Sequence, residues 1–320
     1  MALLTFDPYQ HHRQVAELWE RALGDCYPVT DRVLRPRLFT NDHFELGDAV
    51  VQLDGDNAIG FGNLEINRRA GRPPDSGSIQ AVLVDPTAQR RGLGNSVLAE
   101  LEQRARDCGI DTVTVSRGFY RFWTGVPDDL PGAQAFFAAN GYERIADVID
   151  MYGSLADFEM SRESTARLAD MGMAVVPLTD TDLSGACLLL EREAHGKWLD
   201  SLLLAMVHGD AENMLAVKHG ADVVGCIQTF TPGSRFRGPN VVWERIYGTD
   251  MGGFGAVSIA EQFRGRGLGT AMCESAAAHI RRQGGSGCFI DWTGPALVPF
   301  YGAVGATVCS NSGMYEKPVG

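Results

Sequence analysis

Several common sequence features are missing. The seven cysteines (Cys26, Cys108, Cys187, Cys226, Cys273, Cys288 and Cys309) form no C-x-x-C pair. An odd, scattered set argues against a complete disulfide framework and for a reducing compartment. The seven histidines show no zinc-type spacing, so no metal site is expected. No apolar run approaches the ~20 residues that span a bilayer. The opening Met1-Ala2-Leu3-Leu4-Thr5-Phe6-Asp7-Pro8 lacks the basic n-region and apolar stretch of a signal peptide. We therefore expect a cytoplasmic protein with no membrane contact. Positive charge is also scarce, with 28 Lys and Arg against 40 Asp and Glu and a formal net charge of −12. That balance excludes a general nucleic-acid binder, which needs a basic face. Local arginines in an acidic chain suit a small anionic ligand, and the acidic surface suits an amine-bearing partner.

What the chain does have is length, core material and repetition. Its 320 residues, 45% of them hydrophobic, fit two domains of roughly 150 residues each. One phrase occurs twice, as Gln89-Arg90-Arg91-Gly92-Leu93-Gly94 and as Arg264-Gly265-Arg266-Gly267-Leu268-Gly269. Ala135-Phe136-Phe137-Ala138-Ala139-Asn140-Gly141 matches Pro299-Phe300-Tyr301-Gly302-Ala303-Val304-Gly305, and Ala58-Ile59-Gly60-Phe61 matches Val223-Val224-Gly225-Cys226. The spacings differ because the loops differ: the first half is longer at Gly118 to Pro131, the second at Thr231 to Gly238. Two diverged copies of one fold explain this. The expected division is a domain over 1–153, a connecting segment over 154–172 and a domain over 173–320. The connecting stretch from Ser154 to Asp170 has no Gly or Pro, which favours a short helix over a loose linker.

Each copy reads as β-α-α-β-β-β-turn-α-β-α-β. Val15, Leu18, Trp19 and Ala22 mark an amphipathic helix over 9–23, and Leu183, Cys187, Leu190 and Ala194 its counterpart. Hairpins are expected at 49–66, around Gly55, and at 213–230, around Gly220. Strands Ile79–Val84 and Ala256–Ile259 lead into the two phrases. Helices carrying Val97, Leu101 and Ala105, or Leu268, Met272, Ala276 and Ile280, follow them. The fold class is α/β with a mixed, mostly antiparallel sheet and helices on both faces, present twice.

The repeated phrase has its own physics. Its glycines let backbone approach an oxygen-rich group without Cβ obstruction. Successive N–H groups and the following helix's positive end favour phosphate there. A dinucleotide fingerprint fails on context, since Thr270 stands at the third glycine's place and residues 285–290 offer no acid. A P-loop would need Gly-Lys-Ser/Thr, which is absent.

At these residues the chain resembles the GNAT superfamily of acyl-CoA-dependent N-acyltransferases. That family shows an apolar strand, then [Q/R]-x-x-G-x-[G/A], then a helix; both phrases match it in full. Phe300-Tyr301-x-x-x-Gly305 resembles its final-helix motif. The resemblance covers nearly the whole chain and points to the family's two-domain members. It implies acetyl-CoA as cofactor, with the pyrophosphate at Gln89, Arg90, Arg91, Gly92, Leu93, Gly94 and Asn95, and at Arg264, Gly265, Arg266, Gly267, Leu268, Gly269 and Thr270. The pantetheine arm would lie along Val82, Leu83 and Val84, and along Val257, Ser258 and Ile259. It implies a small-molecule or peptide amine as acceptor. The internal tandem fits a monomer or a homodimer.

Transfer to an amine needs a base for the amine and a proton for the departing thiolate. In the family a last-helix tyrosine often supplies that proton. The second copy has Tyr301 there and the first has Phe137, which cannot donate one. The C-terminal half is therefore expected to be the catalyst and the N-terminal half a degenerate copy. For the base the resemblance offers Glu244, just before the second cofactor strand, and Asp291, at the end of the next. Both are equally readable as solvated, or as paired with a neighbour such as Arg245. Gly294 stands where the family frequently has Asn, which removes one usual cofactor contact; Thr293 is the nearest substitute. His195 and His208 flank a short helix of the acceptor region but read more simply as surface or capping residues. The aromatic run Phe119-Tyr120-Arg121-Phe122-Trp123 reads as packing, and Cys288 and Cys309 as inert thiols. The competing class is a non-catalytic acyl-CoA-binding or sensor protein.

Overall fold

Asp7 opens the first long helix by accepting a hydrogen bond from the Tyr9 N–H, and Pro8 presets its first turn. The helix, α1 (Pro8–Leu23), then buries Val15, Leu18 and Trp19 along one face. A computed structural model describes residues 3–68, 74–194 and 197–320. Before α1 comes β1 (Leu4–Thr5); after it come α2 (Asp31–Leu38), β2 (Ala49–Asp54), β3 (Asn57–Ile66), β4 (Gly77–Val84), α3 (Leu93–Asp107), β5 (Thr112–Val115), β6 (Val126–Pro127) and α4 (Pro131–Ala139). Strand β7 (Glu143–Ser154) leads on to α5 (Arg162–Asp170), β8 (Met173–Pro177), α6 (Leu183–Ala194), α7 (Lys197–Val207), β9 (Met214–His219), β10 (Asp222–Phe230) and α8 (Glu244–Tyr247). The chain finishes with β11 (Met251–Ile259), α9 (Leu268–Arg282), β12 (Gly287–Thr293), α10 (Val298–Gly302) and β13 (Thr307–Pro318).

The chain divides into two units, one of residues 1–149 with 310–320 and one of 150–309. This corrects the contiguous division at 153 and 173. The end of β13 pairs antiparallel with β5, Tyr315 opposite Val115 and Lys317 opposite Val113, so the chain's last residues complete the first unit. The connecting segment holds the short helix expected of it. Its helix α5 is capped by the Ser161 hydroxyl and belongs to the second unit.

Within the first unit the strand order is β1-β2-β3-β4-β5-β13, parallel between β4 and β5 and antiparallel elsewhere. The second repeats it as β8-β9-β10-β11-β12, parallel between β11 and β12. Alternation along β3 sets the layers. Phe61 meets Phe6 on one face (ring centroids 5.4 Å apart), and Gly60 faces Val97 and Leu93 of α3 on the other. Leu64, Ile79, Val97, Leu101 and Val113 anchor the core on the α3 side. Fully burying each contributes about 1.5–3 kcal/mol. In the second unit α9 buries Leu268, Met272, Ala276 and Ile280, the expected stripe. Among the described residues no helix is long and apolar enough to cross a membrane.

Candidate active site

Both repeated phrases form the same turn. Gly92 (φ 84°) and Gly267 (φ 74°) are left-handed N-caps of α3 and α9, and neither has a capping side chain. The first helical N–H groups are therefore left to whatever binds there. The residue two places earlier is also left-handed, Gly265 at φ 72° and Arg90 at φ 62°. The second copy adopts this conformation without strain; the first adopts it with a side chain that disfavours it. The leading residue of each phrase closes the turn onto its strand. Gln89 Nε2 donates to the Val84 carbonyl (3.3 Å), and Arg264 Nε donates to the Ile259 carbonyl (3.0 Å). Gln89 and Arg264 thus shape the turn as well as lining it. Arg90, Arg91, Arg266 and Asn95 are exposed, while Leu93, Gly94, Gly269 and Thr270 are partly exposed and Leu268 is buried.

Each preceding strand carries a bulge. Gln80 is the extra residue between the Asn63–Ala81 and Leu64–Ile79 pairs. In β11 the register slips between Cys226–Ser258 and Gln228–Gly255, with Ala256 at φ 52°. The parallel ladder ends at Ile79–Val115 in the first unit and at Gly253–Phe289 in the second. Beyond those points one edge of each strand is open. Val82, Val84, Val257 and Ile259 are partly exposed, whereas Leu83 and Ser258 turn their side chains inward. An open strand edge beside an uncapped helix N-terminus fits an extended amide-bearing arm ending in a pyrophosphate. The residues expected to hold coenzyme A are brought together in each unit and fit it.

Midway along β11, where its parallel pairing ends, the second unit gathers a polar site. Asn240 Nδ2 donates to Asp291 Oδ1 (2.6 Å) and to the Phe254 carbonyl (2.9 Å), fixing the carboxylate beside Gly255. The Tyr301 ring lies 6.1 Å from that of Phe254 and 4.8 Å from that of Phe300. Burial raises the Tyr301 pKa, and Cys273 and Asp291 nearby add to the rise, so its hydroxyl stays protonated at neutral pH. Trp292 has φ 50°, a costly conformation for a bulky side chain. The Asp150 carboxylate holds it by accepting from the Trp292 N–H (3.0 Å). Sequence reading missed Asn240, which lies in a single 3-10 turn, and Asp150, which lies on β7 outside any motif.

Glu244 lies on a short helix, 1% exposed. Arg237 donates to its carboxylate at 3.1 Å, and both side chains are buried. A charge buried this way needs its partner, and Arg237 supplies one. The Thr293 hydroxyl is buried with no hydrogen-bond partner among the described residues, a donor held at the end of β12.

The first unit is filled where the second is open. Gln80 and Gly255 stand equally far before their phrases, yet Gln80 is 1% exposed and Gly255 is partly open. Glu65 accepts from Gln80 Nε2 (3.0 Å) and from the N–H groups of Phe119 (2.6 Å) and Tyr120 (2.8 Å), and its Oε1 lies 3.1 Å from His43 Nδ1. The Tyr120 hydroxyl donates to Asp42 (2.6 Å). Ser116 N–H donates to the Ile79 carbonyl and Arg117 N–H to Ser78 Oγ, both at 2.8 Å, tying the loop across the strand ends. The aromatic run packs inside its own unit: Trp123 stacks on Trp19 (5.5 Å) and Phe122 leans on it (4.5 Å). Phe137 is core, 6% exposed. His208 is exposed and stacks on Phe236; His195 lies outside the described residues.

The model of the acetyltransferase (GNAT) family matches residues 13–142 and again 183–305. No curated protein sequence matches significantly. A fungal structure, a GCN5-related glucosamine N-acetyltransferase region of a multi-domain GH3 beta-N-acetylglucosaminidase, superposes with a TM-score of 0.90 at 20% identity. It covers 99% of this chain, and this chain spans only 38% of that one. A GCN5-related N-acetyltransferase from Sphaerobacter thermophilus gives 0.72 at 17% identity, covering 99% of this chain and 95% of its own. A tandem GNAT protein from the clavulanic acid biosynthesis pathway gives 0.68 at 17%, covering 100% and 98%. These likenesses are of fold. The family generally uses acetyl-CoA and acts on amines. With two matched regions and two copies of the turn, strand and helix that carry the signature, the chain belongs to the acetyltransferase (GNAT) family as a tandem acyltransferase.

Proposed function

We propose that the protein transfers an acetyl group from acetyl-CoA to a primary amine of a small molecule or peptide, with the chemistry in its C-terminal unit. The observation that carries this is the grouping of Asp291 and Tyr301 around Phe254 and Gly255, midway along β11 where its parallel pairing ends. When bound, acetyl-CoA supplies the thioester. The Asp291 carboxylate, oriented by Asn240, accepts the proton shed by the amine, and Tyr301 Oη surrenders one to the departing sulfur. Backbone N–H groups of the α9 turn and the open β11 edge orient the cofactor. Glu244, held by Arg237, supports the segment that carries Asn240. A non-catalytic acyl-CoA-binding role suits the first unit alone, where Glu65 and its partners fill the acyl end.

An amino sugar is the first acceptor to test, because the fungal structure of similar fold is a glucosamine N-acetyltransferase region. Free thiol released from acetyl-CoA should be followed across amino sugars, small aliphatic amines and peptide N-termini, beside a titration of acetyl-CoA binding. Amine-dependent release with at least one of these supports the reading. Tight binding with no release across the whole panel makes the protein a binder instead.

A further inference from the structure

Three arginines surround the second turn, and they differ in what they do. Arg264 is committed to Glu193 (2.5 Å) and to the Ile259 carbonyl. Arg266 lies 6.0 Å from the centroid of the Phe263 ring. The third, Arg167, comes from α5, which the sequence reads only as a connection. Its Nη1 donates to the Arg266 carbonyl (3.3 Å) and occupies the space a Cβ on Gly267 would need. The guanidinium therefore rests on the N-cap of a 15-residue helix. That end is the positive pole, where a cation is disfavoured and an anion is attracted. Glu163, 2.5 Å away, is 80% exposed and compensates little.

The placement is built into the unit. The backbone N–H and hydroxyl of Ser161 donate to the two carboxylate oxygens of Glu274 on α9 (2.7 and 3.1 Å), and Glu274 is itself 5% exposed. Leu168 is buried, and Arg281 of α9 donates to the Phe158 carbonyl. Helix α5 is thus fastened to the helix whose N-terminus Arg167 covers. The first turn has no such arm, since a Cβ on Gly92 would meet nothing within 4 Å.

We propose that Arg167 binds the pyrophosphate of the coenzyme A thioester at the second turn, making α5 part of the C-terminal cofactor site. This rests on the reading of that turn as the catalytic unit's cofactor cradle. A phosphate offers the planar guanidinium two acceptors in place of one neutral carbonyl. In the full-length protein, R167A should weaken acetyl-CoA binding, read as Kd by calorimetric titration without amine, and raise KM, each roughly 10–100-fold, the range for a hydrogen bond to a charged group. The loss should appear in KM far more than in kcat. R167K, a point charge without the fork, should recover only part of it and tests the idea even where R167A folds poorly. With the dephospho-CoA thioester, which keeps the pyrophosphate and lacks the 3′-phosphate, the R167A penalty should persist. A titrated Kd within twofold of wild type in both variants overturns the proposal, and so does a penalty that vanishes with the dephospho thioester. If the wild-type protein itself neither binds nor consumes acetyl-CoA, the reading of the turn fails, not the role of Arg167 within it.

Discussion

The two units share a turn and part company midway along the strand that feeds it. In the second, β11 leaves its parallel partner at Gly253 and continues past Gly255 and Ala256, with Asp291 and Tyr301 alongside. In the first, β4 stays paired to Ile79, its Gln80 donates to Glu65, and a loop is strapped to the same carboxylate by two backbone N–H groups. A phosphate cradle depends on backbone geometry and survives side-chain drift. An acyl pocket depends on empty space, and one buried glutamate with its partners removes that space. On the proposed reading, degeneration means filling, not loss of fold.

The largest effects should come from exchanging the aromatic residues of the last helices. Tyr301→Phe should lower kcat roughly 10²–10⁴-fold, the range for a lost general acid, with acetyl-CoA affinity near wild type by titration. Phe137→Tyr should leave turnover alone and cost roughly 1–3 kcal/mol in urea unfolding, since the new hydroxyl enters a core without a partner. Turnover that survives in Tyr301→Phe and falls in Phe137→Tyr would reverse the comparison. Next in size, Asp291→Asn should reduce kcat about 100-fold and Asn240→Ala about tenfold, since Asn240 acts only through Asp291. Equal losses in steady-state assays would make Asn240 more than a positioning residue.

In the first unit, Glu65→Ala strands several buried donors and should cost roughly 3 kcal/mol or more in chemical denaturation. The acetyl-transfer rate should not change. A smaller effect follows pH in the second unit. His279 on α9 is 5% exposed, and burial, helped by Arg282, lowers its pKa below the ordinary imidazole value. The unfolded chain then binds a proton more readily than the folded one. Stability from His279 is therefore complete above about pH 6.5 and declines as the pH falls from there through the lowered folded-state value. His279→Gln should flatten that part of a melting-temperature profile. Smallest of all, Arg90→Gly relieves a left-handed non-glycine and should stabilise the first unit by up to about 1 kcal/mol. A loss of stability on calorimetry would mean that the Arg90 side chain contributes more than its backbone costs.

Much of the fold was legible because apolar spacing and turn residues agree along the chain. Val15, Leu18 and Trp19 gave α1, and Gly55 and Gly220 gave the two hairpins. Strand β11 was read as starting at Ala256, although it starts at Met251. The run Gly252-Gly253-Phe254-Gly255 has no alternating pattern. Gly253 is there because a Cβ would come within 2.6 Å of the Asn240 backbone carbonyl, a contact with no trace in local sequence. The cradle was legible because its glycines and arginines are consecutive. The acyl end was only half legible. Tyr301 falls at a motif position and Asp291 at the end of a readable strand, while Asn240, Asp150 and Arg167 reach their places through tertiary packing alone. Glu244 fitted its place in the motif order, but its partner, Arg237, comes from an irregular loop.

The placement of residues 310–320 has a consequence for how this chain is made. A ribosome delivers residues 1–149 first, yet those residues must wait for the chain's final strand before β5 acquires its second neighbour. The second unit, whose residues 150–309 are all translated earlier, can finish first. The half translated first is thus the last to be completed, and a premature stop before residue 310 would injure the unit furthest from it in sequence.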